Sequence, residues 1–201
     1  MGQVFRTAEQ YLDQLSSGEF VEIGTSRNGD DGSTRTLAEW AGRLGTHLTT
    51  VDMDPVNCKF VQNLHIPNCT VLNETGEDYL YQRIYTSRPI NFLYLDNFDW
   101  DWHPDRTPDF ILEQQKRYAP LGLTMTNVNS QAAHLRQMEI ALGHMAERCL
   151  VVCDDTWFNK WWGHYSGKSG AVVPYLIAHG FDILYTEEEP VYGTILGRGI
   201  V

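Results

Sequence analysis

Two apolar runs in this chain end on carboxylates. Asn91-Phe92-Leu93-Tyr94-Leu95 stops at Asp96, and Cys149-Leu150-Val151-Val152-Cys153 stops at the pair Asp154-Asp155. Short apolar runs bounded by turn residues predict buried parallel strands, and ligands of open α/β sheets collect beyond the carboxyl ends of such strands. Brought to one rim, three carboxylates would repel and raise one another's pKa unless a cation lay among them. An all-oxygen set suits a hard divalent ion, so Asp96, Asp154 and Asp155 are expected to hold Mg²⁺ or Ca²⁺. The other reading of Asp154-Asp155 is a turn and helix cap ahead of Thr156-Trp157.

A second group lies near the N-terminus. The run Glu19 to Gly24 leads into Gly24-Thr25-Ser26-Arg27-Asn28-Gly29-Asp30-Asp31-Gly32-Ser33-Thr34. Glycine lets backbone approach a ligand, and the free N–H groups of Ser33 and Thr34 at a helix start can bind polar atoms. A turn alone would look the same. The spacing is neither G-x-G-x-x-G nor G-x-x-x-x-G-K-[ST], and no lysine is placed to hold a β-phosphate, so dinucleotide and nucleoside-triphosphate readings lose weight. Asp52 ends the next run roughly twenty residues beyond the glycine turn, where a carboxylate can accept hydrogen bonds from ribose hydroxyls; its other reading is a strand-end turn residue.

These residues need a scaffold that brings strand ends together. The spacing of Phe5, Ala8, Leu12 and Leu15 predicts an N-terminal helix over residues 1–18. Strands are predicted at Glu19 to Gly24, His47 to Asp52, Cys69 to Leu72, up to Asp96 and up to Asp154, with helices at Ser33 to Leu44, Pro55 to Leu64, around Asp78 to Ile84, and Gly170 to Ala178. Asp54 caps the second of these helices ahead of Pro55. The alternation implies a mostly parallel sheet with helices on both faces. Phe181 to Tyr185 and Tyr192 to Leu196, joined by the acidic segment Thr186 to Pro190, read as a hairpin, so the last strand should run antiparallel. The crossover over 97–148 is longer than one helix needs. It holds DNFDWDWHPD, a candidate helix from Asp109 to Tyr118 and a helix from Ser130 to Glu147, and a long loop on the ligand rim points to a substrate-side insertion.

Composition narrows the partners. With 201 residues, 42% of them hydrophobic, the chain can bury one core, and a single domain over 1–201 is expected. A formal net charge of −11 disfavours nucleic-acid backbones and anionic membranes as partners. No apolar run has membrane-spanning length and the start lacks a signal-peptide core, so a cytoplasmic protein is expected. Cys58, Cys69, Cys149 and Cys153 show no CxxC spacing and read as reduced thiols. The abundance of Trp and Tyr leaves a homodimer open.

Taken together, FVEIGTSRNGDDGST, TTVDMDP, NFLYLDNFDW and LVVCDDTW resemble, in order and interval, the class I S-adenosylmethionine-dependent methyltransferases. Within them the chain is most similar to divalent-metal-dependent small-molecule O-methyltransferases of the catechol and macrolide-sugar types. The resemblance runs from about Glu19 to the C-terminus. It implies a Rossmann-like, doubly wound, seven-stranded sheet, S-adenosyl-L-methionine as cofactor, and a small hydroxylated acceptor. Glu22, Gly24 and Thr25 match the motif closing the first strand, Ser33 and Thr34 the hydroxyl residues opening the next helix, and Asp52 the ribose-binding acid. Glu74 and Thr75 match the adenine-side position, and Asp96, Asp154 and Asp155 the metal ligands, Asp96 also bordering the cofactor. The first loop is longer than in the family by Arg27 to Asp31, so Arg27 could supply the clamp on the methionine carboxylate.

Where the family carries a catalytic base three residues after Asp96, this chain has Asp99, with His103 as second candidate. Asp99 can also be read as a solvated loop carboxylate, and an ordinary Asp is a weak base against an alcohol unless a metal lowers the hydroxyl pKa. Non-catalytic cofactor binding and nicotinamide-dependent oxidoreduction are the competing functions. Trp157, Phe158, Trp161, Trp162, His164 and Tyr165, like Trp100 and Trp102, are read either as an acceptor wall or as packing. Lys168 matches a Gly-Lys pair of the family without an assigned role, its bland reading being a solvated lysine. His134 and His144 read as surface or satisfied packing histidines.

Overall fold

A computed structural model describes residues 2–27, 32–83, 88–101, 107–187 and 193–201. Its main sheet contains β1 (Glu19–Ile23), β2 (Leu48–Asp52), β3 (Cys69–Asn73), β4 (Ile90–Leu95), β5 (Met145–Asp154), β8 (Asp182–Thr186) and β9 (Gly193–Arg198) in the order β3-β2-β1-β4-β5-β9-β8. Neighbours from β3 to β5 are parallel, while β9 runs antiparallel to both β5 and β8. This is the expected seven-stranded, mostly parallel sheet. A separate hairpin, β6 (Thr156–Asn159) with β7 (His164–Gly167), occupies the stretch read from sequence as an aromatic loop.

Period-two alternation explains the two layers. Val21, Ile23, Leu93, Leu95, Val151 and Cys153 point to one face, where they pack against α4 (Gly76–Gln82), α6 (Asn127–Ala141) and α7 (Val172–Ala178). Phe20, Phe92, Tyr94, Leu150 and Val152 point to the other, against α1 (Gln3–Glu9) and α2 (Ser33–Arg43). On that face Phe20 and Phe92 stack with ring centroids 4.7 Å apart, and Phe5 of α1 packs on Trp40 and Tyr94. The remaining helices are α3 (Pro55–Asn63) and α5 (Pro108–Tyr118). As expected, Asp54 caps α3 by accepting the Val56 N–H at 2.8 Å.

The N-terminal helix is shorter than predicted, with α1 followed by a 3₁₀ turn at Leu12–Gln14. The helix predicted to reach Glu147 stops at Ala141. A 3₁₀ turn, Leu142–His144, intervenes and Met145 already begins β5. Met138, Ala141 and Met145 fit a helical period, but Met145 is buried as the first residue of a strand beside Ile90. All four cysteines are free thiols. Among the described residues, no helix is long and apolar enough to cross a membrane.

Candidate active site

Register sets the strand ends level. Ile23 pairs with Val51 on one side and Leu95 on the other, Leu95 pairs with Cys153, and Asp52 lies beside Asn73. The next residue on each strand therefore puts Gly24, Asp52, Asp96 and Asp154 along one rim. Chain order reverses between β1 and β4, and that switch point is where open α/β sheets bind ligands.

Gly24 sits at this switch with φ +97°, and a Cβ there would fall 2.5 Å from the Asn97 amide nitrogen. Beneath it, Glu22 is fully buried and accepts hydrogen bonds from Ser33 Oγ (2.7 Å), Thr34 Oγ1 (2.7 Å) and Thr50 Oγ1 (2.6 Å). Ser26 and Thr34 also exchange bonds between backbone N–H and hydroxyl, at 2.9 and 3.0 Å. Thr25 Oγ1 lies 3.2 Å from Thr34 Oγ1. Glu22, Thr25, Ser33 and Thr34 thus tie β1 to α2 and shape the first turn from below.

Burial pushes the Glu22 carboxyl from 4.5 up to about 7, against the three hydroxyl donors. A raised folded-state pKa means that the folded protein holds a proton which the unfolded chain has released, so stability falls as pH rises from about 4.5 to about 7. The expected contribution is about 3 kcal/mol over that window. His134, lowered by burial from 6.5 to about 4, acts with opposite sign, withdrawing stability as pH falls through that range. Urea denaturation of the wild type and Glu22→Gln at several pH values isolates the first effect: the stability of wild type relative to the variant should rise steadily from pH 7 to pH 5. Parallel pH curves would mean that Glu22 does not titrate there.

A small cavity of about 40 Å³ opens between the strand ends, bordered by Asp52, Asn97, Asp99, Arg27 and Tyr118. Asp52 accepts from the Asp54 N–H (2.8 Å) and from Asn57 Nδ2 (3.2 Å), and burial raises its pKa. Arg27 reaches across from the β1 turn and donates twice to Asp99, at 2.8 and 3.3 Å. Tyr118 Oη accepts from the Asp99 N–H and donates to Asp99 Oδ2 at 3.2 Å. Asp99 is therefore buried and ion-paired, not the solvated carboxylate of its bland reading. His103 and Trp102 lie outside the described residues.

Next to this cavity lies a cleft of about 310 Å³ bordered by Met53, Thr75, Asn97, Phe98 and Gln137. Asn97 Oδ1 and Gln137 Oε1 are buried acceptors with no hydrogen-bond partner among the described residues. Neither was singled out from sequence. Thr75 borders the cleft as the N-cap of α4, accepting the Asp78 N–H. Glu74 faces away, accepting from Gln82 Nε2 at 2.9 Å and bordering a different depression beside Glu19 and Thr49.

The three rim carboxylates do come together, around a lysine. Lys168 Nζ lies 2.7 Å from Asp96 Oδ1, 3.0 Å from Asp155 Oδ2 and 3.7 Å from Asp154 Oδ2, with its side chain 3% exposed. Burial alone would lower the Lys168 pKa; Asp155, Asp96 and Asp154 outweigh it and hold the ammonium well above the ordinary range. Burial, then the charges of Asp96 and Asp155, raises Asp154 well above the carboxylate range. The position expected for Mg²⁺ or Ca²⁺ is thus filled by an ammonium group. Among the described residues, no set of three or more His, Cys, Asp or Glu side chains is arranged to hold a metal. The donor set does not fit the divalent ion expected from the sequence, and the solvated reading of Lys168 is replaced by a buried one.

The β6–β7 hairpin delivers Lys168. Asp155 turns the chain with φ 44°, its carbonyl accepts the Lys168 N–H at 3.1 Å, and Gly167 packs so closely on that carbonyl that no side chain fits. Behind it, His134 is buried and bridges two segments of the rim. Its Nε2 donates to the Asn97 carbonyl at 2.5 Å, so Nδ1 accepts from Ser169 Oγ at 2.6 Å, the neutral tautomer. The aromatic residues separate by role. Trp157 is buried against Trp100, Phe158 meets Tyr165 edge-on across the hairpin, and Trp161 and Trp162 stand 94% and 73% exposed at its tip.

No family model matches the sequence, and no curated protein does either. Solved structures do match in shape. A candidate rRNA methylase from Clostridium thermocellum superposes with a TM-score of 0.56 at 10% identity, covering 100% of this chain and 99% of that one. An rRNA methylase from Streptococcus thermophilus gives 0.51 at 14% identity, covering 98% and 96%. The N-methyltransferase NodS from Bradyrhizobium japonicum WM9, in complex with S-adenosyl-L-homocysteine, gives 0.53 at 9% identity, covering 98% and 85%. Strand order, the antiparallel β9 and these superpositions together give the chain the Rossmann-like fold of the class I methyltransferases.

Proposed function

We propose that the chain is an S-adenosyl-L-methionine-dependent O-methyltransferase acting on a small hydroxylated molecule. The observation that carries the reading is the cavity and the adjoining cleft at the β1/β4 switch point, which share Met53, Asn97 and Phe98, with Asp52 and Arg27 on one side and Asn97 Oδ1 and Gln137 Oε1, acceptors without a partner among the described residues, on the other. In this reading Asp52 accepts from the ribose hydroxyls, the two amide oxygens accept from the adenine amine, and Met53 and Phe98 flank the base. A cavity of about 40 Å³ holds a few waters but not the methionine end of the cofactor. Cofactor binding thus requires Arg27 to leave Asp99, and the methionine carboxylate is the anion it would turn to.

Methyl transfer is an in-line displacement from a sulfonium, and the protein's part is to align acceptor oxygen, methyl and sulfur while excluding water. Asp99, relieved of Arg27 but still bonded to Tyr118, is the proposed proton acceptor, with His103 the second candidate. With Lys168 in the cation position, Asp99 acts on the acceptor hydroxyl unaided. A carboxylate base then favours the more acidic hydroxyl: a catechol-like phenol, with a pKa of about 10, over a sugar alcohol. A formal charge of −11 weighs against RNA as acceptor.

Calorimetry tests this directly. The wild type should bind S-adenosylhomocysteine with micromolar Kd and give no heat with NAD, while Asp52→Ala should bind at least tenfold more weakly, in line with loss of one charge-assisted hydrogen bond. Wild-type protein that ignores S-adenosylhomocysteine would end the reading. Arg27→Ala supplies a finer expectation. It should weaken S-adenosylhomocysteine about tenfold yet leave methylthioadenosine, which lacks the carboxylate, unchanged; equal losses for both ligands would place Arg27 elsewhere.

A further inference from the structure

The rim poses an electrostatic problem that sequence reading solved with a divalent ion and the structure solves otherwise. Asp96, Asp154 and Asp155 come from the ends of two adjacent parallel strands, a placement fixed by the β4–β5 register. Three carboxylates this close stay ionised together only with a positive charge among them. Lys168 reaches it from the far side of a hairpin whose geometry serves that placement: the left-handed turn at Asp155, the side-chain-free approach at Gly167, and Ser169 held by His134 and by Thr156 Oγ1.

We propose that Lys168 is a built-in cation standing in the position of the divalent ion, so that the acidic rim is a metal-independent site in which Lys168 positions Asp96 and Asp155. Two cations cannot share that space. An ion seated among Asp96 Oδ1, Asp155 Oδ2 and Asp154 Oδ2 would need the place of Nζ, which already lies 2.7, 3.0 and 3.7 Å from those atoms. The ammonium is buried, its side chain 3% exposed, while Asp96 is 28% and Asp154 23% exposed. The carboxylates therefore present their outer oxygens to the rim with the lysine beneath them. A substrate would meet hydrogen-bond acceptors there and not an open coordination site.

The inference concerns the rim and survives or fails independently of the methyltransferase reading, which S-adenosylhomocysteine binding decides. Its test is Mn²⁺ titration followed by electron paramagnetic resonance, with Mg²⁺ competition, on the full chain. Wild type should take up no Mn²⁺ at the rim up to millimolar concentrations. Lys168→Ala should bind one ion per chain at least tenfold more tightly than wild type, show a melting temperature that rises with Mn²⁺, and lose both properties when Asp154→Asn is added. One Mn²⁺ per wild-type chain, abolished by Asp154→Asn, would overturn the proposal, as would a folded Lys168→Ala with no gain. If Lys168→Ala does not fold, the paired titration of wild type and Asp154→Asn still decides between the two outcomes.

Discussion

Lys168→Met should lower the free energy of unfolding by about 3–5 kcal/mol, the cost of removing one partner from a buried ion cluster and leaving the other charges uncompensated. Methionine keeps much of the stem volume, so the loss reports charge and not a cavity. Against a total stability of roughly 5–15 kcal/mol for a typical domain, the variant would be marginal but measurable in urea at 25 °C. The double variant Lys168→Met with Asp155→Asn should recover part of the loss, because Asp155 lies 3.0 Å from the ammonium and is the leading cause of its raised pKa. An exposed ion pair would behave differently, losing at most about 1 kcal/mol. A loss that small, or a double variant whose loss is the sum of the two singles, would show that the cluster is not the buried, coupled unit described here.

The sequence announced the carboxylates at the rim but not the cation among them. Asp96 and Asp154 were legible because each ends an apolar run, and parallel pairing of two such runs sets their ends level. Lys168 is 72 residues from Asp96, and its approach depends on a hairpin that looked like an aromatic loop. A local signal existed: Trp157-Phe158 and His164-Tyr165 flank a turn closed by Asn159 and Gly163, and Gly-Lys-Ser-Gly at 167–170 marks close backbone packing. Nothing local, however, says that one lysine in an acidic chain is buried. Helix ends were lost for a similar reason. Met145 continues the helical spacing of α6, and only its pairing with Ile90 makes it a strand residue. Asn97 and Gln137 stand out through an acceptor atom without a partner among the described residues, a property of packing invisible in residue type.

Gly24→Ala should be severely damaging at the β1/β4 switch point. The residue combines φ +97° with backbone on its open side: a Cβ would lie 2.5 Å from Asn97 N and 2.6 Å from the Asp96 carbonyl carbon. Neither neighbour can yield cheaply. Gly24 N–H donates to the Val51 carbonyl at 2.8 Å and Asp96 N–H to the Ile23 carbonyl at 2.9 Å, so separating the two segments breaks the β1–β4 ladder at the switch point. Left-handed backbone costs roughly 1–2 kcal/mol for a residue with a Cβ, and overpacking adds about 1–3 kcal/mol. The expected loss is about 2–5 kcal/mol of stability, with S-adenosylhomocysteine affinity falling at least a hundredfold as Asn97 and the cavity wall are displaced. Gly32→Ala is the matched control. Its φ is +81°, but a Cβ there meets nothing within 4 Å among the described residues, so the conformational cost alone should appear. Equal losses in the two variants, measured by urea denaturation and calorimetry, would mean that backbone conformation alone governs Gly24 and that the close approach of β1 to the Asp96–Asn97 turn does not shape the ligand site.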